Sequence, residues 1–277
     1  MKNLIKKIIN QFLELFSKTS IGKYVHKSLI DQAMSKTSTI IHNDEKLIFS
    51  TPNTLNAYRV TSFSSKEPET LEWIDGFEKD SVFWDIGANI GLYSCYAAQK
   101  RNAQVISFEP SVFNLELLAR NIYLNELNNL ITIIPIPLTH INGKSSLNMT
   151  TTEWGGALST FGEKYGQDGE DLNQVFKFNT FGLKMDYLLD FLDLKLPKYI
   201  KIDVDGIEHL VLKGGPKILS QIDSILIEID DDFSEQSKKC IEFLNQSGLT
   251  FIEKRQSDES IGTCQYNQIW RRIKNES

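Results

Sequence analysis

The fold of this chain is decided by one segment, VFWDIGANIG at residues 82–91. Its first half, residues 82–86, is a short and mostly apolar run of the kind that forms a buried strand. Two glycines follow, and residues 92–100 have the length and composition of a helix. Gly87 and Gly91 carry no side chain at the place where a ligand must approach the backbone. The segment therefore predicts a strand, a ligand-binding turn and a helix.

The alternation of apolar runs with helix-length segments continues along the chain. Further strands are predicted at residues 104–108, 130–134, 199–203 and 224–229, with helices at 112–124, 207–213 and 234–246. Strands joined by helices form βα units, which build a mostly parallel sheet. The fold class is therefore α/β and Rossmann-like. Two apolar segments after the last helix, 250–254 and 266–273, predict a β-hairpin at one edge of the sheet.

One polar, glycine-rich stretch interrupts this pattern at residues 150–172. It is too long for a tight connection, so we expect a surface loop or lid there. Long loops of this kind often contact the substrate.

The charge of the turn distinguishes two classes of nucleotide cofactor. A dinucleotide site prefers Gly-x-Gly-x-x-Gly, with the pyrophosphate over the helix N-terminus. Here the turn has Gly87 and Gly91 with Asp85 before them, and a carboxylate suits a ligand that carries an ammonium group. Glu109 follows the second strand, where an acidic residue accepts hydrogen bonds from ribose hydroxyls. The pattern favours S-adenosylmethionine over NAD.

Four blocks of the sequence resemble the FkbM-type S-adenosylmethionine-dependent methyltransferases: VFWDIGANIGLYS, SFEPSVFNLELLARNIYLN, YIKIDVDGIEHLVLKGG and ILIEI. The resemblance implies a class I methyltransferase fold, whose seven-stranded sheet has an antiparallel last strand. It also implies that the first block wraps the methionine portion of the cofactor and that Glu109 holds the ribose. The expected cofactor-binding residues are Asp85, Gly87, Ala88, Asn89, Gly91, Glu109 and Pro110.

Candidate catalytic residues follow the fourth predicted strand, because ligands in open parallel sheets bind beyond the carboxyl ends of the strands. Methyl transfer to a hydroxyl needs alignment and removal of a proton. Asp203 and Asp205 are the leading pair, and His209 is the third candidate. Family members usually carry Glu at position 205. Glu208 and Glu228 are further carboxylates, although Glu228 lies within an apolar strand where a structural salt bridge is an alternative. Asp203, Asp205 and Glu228 could together ligate a hard cation such as Mg2+, but nothing in their spacing demands it, so no metal site is predicted.

The expected activity is O-methylation of a hydroxyl on a glycan or small metabolite, as the family resemblance implies. An NAD-dependent oxidoreductase or epimerase is one alternative, but it would need a dinucleotide glycine pattern and a Tyr-x-x-x-Lys-type pair. A non-catalytic cofactor-binding module is another.

Composition limits the setting and the partners of this chain. The 277 residues carry a net charge of −6, which would repel a phosphate backbone, so nucleic acid is not expected. The three cysteines are too few and too scattered for a disulfide framework or a metal site, and a reducing, cytoplasmic environment is expected. We predict an N-terminal extension at residues 1–70 and a methyltransferase domain at residues 71–277.

The first eighteen residues predict a basic amphipathic helix, with apolar side chains at helical spacing and lysines among the polar ones. Most such helices pack on their own domain or on a second subunit, and that is the expectation here. Packing on a second subunit would make the protein a homo-oligomer, and contact with a membrane surface is the alternative.

Overall fold

Within residues 2–256 and 261–273, which the computed structural model describes, a seven-stranded sheet lies at the centre of the chain. In chain order the elements are α1 (Lys2–Ser17), α2 (Ser20–Ser35), β1 (Thr37–His42), β2 (Glu45–Ser50), α3 (Thr54–Thr61), α4 (Phe63–Lys66), α5 (Pro68–Asp75), β3 (Val82–Ile86), α6 (Leu92–Arg101), β4 (Gln104–Phe108), α7 (Val112–Leu124), β5 (Ile131–Ile134), β6 (Gly143–Met149), β7 (Ser159–Phe161), β8 (Phe176–Gly182), α8 (Met185–Phe191), β9 (Tyr199–Ile202), α9 (Glu208–Lys213), α10 (Pro216–Leu219), β10 (Ser224–Asp230), α11 (Ser234–Gln246), β11 (Thr250–Arg255) and β12 (Gln265–Arg271).

The central sheet has the strand order β11-β12-β10-β9-β3-β4-β5. β3, β4, β5, β9 and β10 run parallel, whereas β12 is antiparallel to both β10 and β11. The predicted Rossmann-like fold, its antiparallel last strand and the edge hairpin are therefore confirmed. The chain leaves β3 toward β4 on one side and later returns to β9 on the other. A ligand crevice is expected beyond the strand ends at such a switch point.

The two faces of the sheet are covered by separate apolar layers, because side chains alternate along a strand. Phe83 of β3 packs with apolar residues of α5, α6 and α7. Trp84 and Ile86 face the opposite layer, which includes residues of α8, α9 and α11. The same alternation decides which polar side chains of these strands meet each other below.

The glycine-rich stretch at residues 150–172 contains a strand, so the prediction of an irregular surface loop or lid was wrong for part of it. β7 lies in this stretch and pairs with β6, which also pairs with β8 in a second, three-stranded sheet. Phe161 accounts for this order: it is buried against Leu147 and Met149. Gly182 of β8 leaves room for its ring, since a Cβ there would lie 2.3 Å from Phe161 Cε1.

Residues 37–70, which the sequence placed in an N-terminal extension, pack on the methyltransferase body. Leu47, Phe49, Val60 and Phe63 are buried in the same apolar layer as Phe83. The proposed boundary at residue 70 therefore does not separate two packing units.

Two asparagines of α7 attach β2 to this body. Asn121 Oδ1 accepts a hydrogen bond from the Ser50 N–H at 2.7 Å, and Asn121 Nδ2 donates to the Ile90 carbonyl at 2.8 Å. Asn125 bonds both the N–H and the carbonyl of Ile48. Since Ile90 belongs to the glycine turn, Asn121 connects that turn directly to the lead-in segment.

The helix pair formed by α1 and α2 does not bury its apolar surface on the body, which was one of the two arrangements expected from the sequence. The helices contact each other closely, since a Cβ on Gly22 would lie 1.8 Å from the Phe16 carbonyl oxygen. Yet apolar side chains along α1, among them Ile8 and Phe12, remain exposed. In the described part of the chain, no helix combines the length and apolar character needed to cross a bilayer.

We expect the Asn121→Ala substitution to lower the free energy of unfolding by about 2–4 kcal/mol, because it removes two buried hydrogen bonds and leaves their backbone partners unsatisfied. Chemical denaturation measures this difference. Asn128→Ala is the matched control, since Asn128 is exposed and its side chain donates to the neighbouring Asn129. Equal effects of the two substitutions would contradict the role of Asn121.

Candidate active site

A cavity of about 280 Å³ opens at the carboxyl ends of β3, β4, β9 and β10. Its wall includes Gly87 and Asn89 of the glycine turn, Glu109 and Pro110 after β4, and the start of β7. A smaller cavity of about 60 Å³ adjoins it along the glycine turn and shares several lining residues, including Asp203. The two form one elongated site across the switch point of the sheet.

Gly87 brings the turns after β3 and β9 into direct contact. Its φ is +88°, and a Cβ at this position would lie only 1.8 Å from the Asp203 carbonyl oxygen. Gly91 also has a positive φ, of +82°, and a Cβ there would lie 2.4 Å from Leu118 Cδ1. The backbone contact excludes any side chain at Gly87, and the positive φ of Gly91 favours glycine there as well.

The backbone N–H groups of the glycine turn are all used inside the protein. Those of Gly87 and Ala88 donate to the Phe108 carbonyl, each at 3.0 Å. Asn89 N donates to Glu109 Oε2 at 2.8 Å, Ile90 N to Asn89 Oδ1, and Gly91 N to the Ala88 carbonyl. A pyrophosphate is bound by free backbone N–H groups at such a turn. This turn has none to offer, which disfavours a dinucleotide.

Glu109 lies where the sequence placed it, at the cavity wall. Its Oε1 accepts a hydrogen bond from Ser111 N at 2.8 Å and a longer one from Asn114 Nδ2 at 3.4 Å. Oε2 receives Asn89 N and keeps a second lone pair, since each carboxylate oxygen can accept two bonds. Burial raises the pKa of Glu109 to about 7, against the opposing effect of these hydrogen bonds.

Asp85, which the sequence placed among the cofactor-binding residues, does not line either cavity. The parallel register places it beside Ser107 of β4 and Lys201 of β9, on the sheet face covered by α6. Its carboxylate accepts a hydrogen bond from Ser94 Oγ of α6, and the side chain is buried. Burial raises its pKa, while Lys201 opposes the shift.

Asp203 lines both cavities and is paired with Lys201. Lys201 Nζ lies 2.6 Å from Asp203 Oδ2, and the lysine is almost fully buried. Burial alone would raise the pKa of Asp203, but the adjacent ammonium holds it below its usual value. Asp203 is therefore a fixed negative charge next to the glycine turn.

Asp205 also lines the cavity, in a backbone conformation with φ of +59°. Its Oδ2 accepts a hydrogen bond from Ser159 N of β7 at 3.0 Å, which joins the two sheets at the cavity wall. Burial and the nearby Asp203 raise its pKa to about 6.

Glu208, by contrast, serves the turn itself. It accepts hydrogen bonds from Val204 N and Gly206 N and contacts Gln236 of α11. It does not line either cavity.

His209, the third candidate catalytic residue, does not line either cavity with the two aspartates. It is buried, with its ring edge-on to Phe233 at a centroid distance of 6.2 Å. Burial lowers its pKa to about 4, and Nδ1 has no hydrogen-bond partner among the described residues. Glu208, the residue before His209 on α9, is hydrogen-bonded to the preceding turn. Because this contact fixes the rotation of α9, His209 faces away from the cavity.

Glu228 is partly exposed, and it lines the cavity. No ion pair or hydrogen bond to its carboxylate is found within residues 2–256 and 261–273, so the salt-bridge alternative is not met. Burial raises its pKa well above the usual value, and the charges of Asp203 and Glu67 act in the same direction. Glu228 is thus a carboxyl group facing the site with an affinity for a proton.

These features agree with comparisons to known proteins. A family model described as the Methyltransferase FkbM domain matches residues 85–256. The chain belongs to this family. Its activity is methyl transfer, its cofactor is S-adenosylmethionine, and the dinucleotide-dependent alternative is not favoured.

Two kinds of relative are similar to this FkbM methyltransferase. The hexuronic acid methyltransferase AglP of Haloferax volcanii is 24% identical over 209 residues, which cover 73% of this chain and 77% of AglP. Among solved structures, a methyltransferase FkbM from Methylobacillus flagellatus KT has a TM-score of 0.51 at 14% identity, over 80% of this chain and 54% of that one. A protein from Streptococcus mutans described as an S-adenosylmethionine-dependent methyltransferase has the same TM-score at 13% identity, over 85% and 55%. The solved structures support the fold.

The two cavities are also lined by charged residues that were not predicted from the sequence. Arg59 of α3, Lys66 of α4 and the adjacent Glu67 line both cavities. Arg59 Nε donates to the Gly155 carbonyl at 2.8 Å, and Lys66 pairs with Glu67 at 3.2 Å. No motif or spacing links these residues with the glycine turn. Only the packing of residues 37–70 on the body brings them there.

Part of the stretch that was expected to be a surface loop or lid forms a wall of the site. The Gly156 carbonyl accepts hydrogen bonds from Asn89 Nδ2 and Asn114 Nδ2, at 2.9 and 3.0 Å. The Trp154 carbonyl accepts two more from Asn53 and Asn56. In the described parts of the chain, no group of three or more His, Cys, Asp or Glu side chains is arranged to hold a metal ion.

Proposed function

We propose that this FkbM methyltransferase transfers the methyl group of S-adenosylmethionine to a hydroxyl of a glycan, with Glu228 as the base. The observation that carries this proposal is the unpaired, proton-binding carboxyl group of Glu228 at the cavity that the glycine turn lines. Similarity to a hexuronic acid methyltransferase supports the choice of a glycan as acceptor.

The charged residues along the elongated site favour one orientation of the cofactor. The ribose would lie at Glu109, with the adenine between Pro110 and the apolar residues 136–138. The methionine end would then lie along the glycine turn in the smaller cavity. There, Asp203 would hold the ammonium group, and Arg59 and Lys66 would hold the carboxylate. Asp85, one of the expected cofactor-binding residues, would not touch the cofactor in this arrangement. It would act on the ammonium group only through its charge, from the sheet face covered by α6.

Glu228 and Asp203 would divide the remaining work between them. Bound S-adenosylmethionine supplies a methyl group activated by a positively charged sulfur. Glu228 accepts the proton of the acceptor hydroxyl while the oxygen of that hydroxyl bonds to the methyl group. Water later removes the proton from Glu228. Asp203 stays ionised because Lys201 neutralises it, so it is a poor base and a good counter-ion. Burial and the neighbouring carboxylates raise the pKa of Glu228, which makes its carboxylate a stronger proton acceptor than an ordinary glutamate.

The acceptor side of the cavity suits a sugar ring. Leu147 and Phe161 of the second sheet and Leu158, which precedes β7, present apolar surface, while Gln167 and Gln265 provide amides. A sugar has apolar C–H faces and hydroxyl edges, and pockets for such ligands combine both kinds of lining.

We expect cofactor affinity to decrease below pH 7, because Glu109 has a raised pKa of about 7 and only its ionised form accepts both ribose hydroxyls. Since binding favours the ionised form, affinity is greatest above this pKa and falls up to about tenfold per pH unit below it. Calorimetric titrations with S-adenosylmethionine and its demethylated product from pH 5 to 8 measure this slope, in the range set by that pKa.

Glu109→Gln should bind more weakly and lose most of the slope, whereas Glu242→Gln, at an exposed position of α11, should keep it. An unchanged slope in Glu109→Gln would show that another group titrates.

Substitutions at the two acidic positions should separate binding from chemistry. Glu228→Gln should lower kcat by about 10²–10⁴-fold with little change in cofactor affinity, because it removes the proton acceptor. Asp203→Asn should instead weaken cofactor binding by about ten- to a hundredfold, as expected for loss of a charge-assisted hydrogen bond. Single-turnover kinetics and calorimetry measure the two effects, with thermal unfolding as the check on folding. The reverse assignment of effects would make Asp203 the base.

The acceptor is tested with labelled S-adenosylmethionine and a pair of oligosaccharides, one that contains a uronic acid and a matched neutral one. We expect label in a glycan, and we expect it to survive mild alkali, because a methyl ether is stable there and a methyl ester is not. Alkali-labile label would place the methyl group on a carboxylate and remove the need for a base. Label in small metabolites alone would exclude the glycan.

A further inference from the structure

The helix pair α1–α2 exposes an unusual amount of apolar surface. Thirty large apolar side chains of the described residues are exposed, and eleven of them lie in this pair: Leu4, Ile5, Ile8, Ile9, Phe12, Leu13, Leu15, Ile21, Tyr24, Leu29 and Ile30. At 3.6 residues per turn, the apolar residues of α1 occupy one continuous half of the helix surface. A soluble protein rarely leaves such a face uncovered, and a face of this size marks an interaction surface.

The same segment carries a charge opposite to that of the rest of the chain. Residues 1–36 contain seven lysines and two acidic residues, a net charge of +5. The whole chain has a charge of −6, so the remaining residues carry −11. Around α1, Lys6, Lys7 and Lys18 lie on the polar half, beside the apolar one. Apolar surface bordered by lysines is the pattern of helices that lie in the interface of an anionic bilayer.

We propose that the α1–α2 pair docks this enzyme on the surface of an anionic lipid bilayer, with the apolar half of α1 in the headgroup region. Neither helix spans the bilayer, which agrees with their length and composition. The lysines face the anionic headgroups, whose attraction adds to the burial of apolar side chains. The acidic body is repelled by the same surface and stays in water.

Charge separates this occupant from a second copy of the chain. A dimer formed through the apolar faces would place two segments of charge +5 side by side, and each would keep its lysines close to those of the other. An anionic bilayer covers the same apolar face and attracts the lysines. An anionic bilayer therefore accounts for both the exposed apolar face and the positive charge of the helix pair.

The test is co-sedimentation of the full chain with vesicles of equimolar phosphatidylcholine and phosphatidylglycerol, compared with phosphatidylcholine alone. Two double variants make the same change in charge on different faces. Ile8→Glu with Phe12→Glu alters the apolar half of α1, and Asn10→Glu with Gln11→Glu alters the polar half, where both residues are exposed. Cofactor affinity and thermal unfolding should be unchanged in both, since the four residues are exposed and none of them lines either cavity.

We expect the native chain to sediment with the anionic vesicles, less so at high salt, and to bind the neutral vesicles at least about tenfold more weakly. The apolar-face variant should lose at least about tenfold in binding, and the polar-face variant only about threefold. The proposal is overturned if the native chain stays in the supernatant, or if the two variants lose binding equally. It is also overturned if sedimentation velocity shows a dimer that the apolar-face variant dissociates, without vesicle binding, which would identify a second copy as the occupant.

Discussion

The site depends on the contact between the glycine turn after β3 and the carbonyl of Asp203 after β9. With the Cβ of any other residue 1.8 Å from that oxygen, the two strand ends could not lie side by side at this distance. Because the two strand ends lie side by side, Asp203 lies against the turn. The turn's N–H groups donate hydrogen bonds on its other side, to the Phe108 carbonyl and the Glu109 carboxylate. Glu109 is thereby fixed on one side of the turn and Asp203 on the other. The ends of the elongated cavity follow from this single close approach.

The internal use of every N–H group in the turn changes what kind of ligand it can recognise. Turns that bind phosphate do so with free amides, which offer partial positive charge. Here those amides are satisfied, and the charged groups that face the cavity are mostly carboxylates: Glu67, Glu109, Asp203, Asp205 and Glu228. Arg59 and Lys66 lie at one end only. The site therefore attracts a cation along most of its length and an anion at one end, which is the charge pattern of S-adenosylmethionine.

The sequence predicted the features that depend on local pattern and missed those that depend on packing between distant segments. The strand, the turn and Glu109 could be placed because apolar runs and glycines act within a few residues. Asp85 could not, because its position depends on which face of β3 lies under α6, and the register beside Lys201 shows that face only in the folded sheet. The orientation of His209 could not be predicted for a similar reason, since the rotation of α9 is set by Glu208 and its bonds to the preceding turn. Arg59 and Lys66 were missed because nothing near them signals a ligand.

The carboxylates can share one cavity because they do not share one charge state. Lys201 keeps Asp203 ionised, and that fixed charge in turn helps to raise the proton affinity of Asp205 and Glu228. In the proposed reaction, a cationic cofactor would lower this repulsion on entry and make ionised Glu228 less costly at the moment when a base is needed. Transfer of the methyl group leaves a neutral sulfur and a protonated Glu228. The cavity then loses its attraction for a positively charged sulfur at the same step that forms the product, so the electrostatics that favour binding of the cofactor also favour release of its demethylated form.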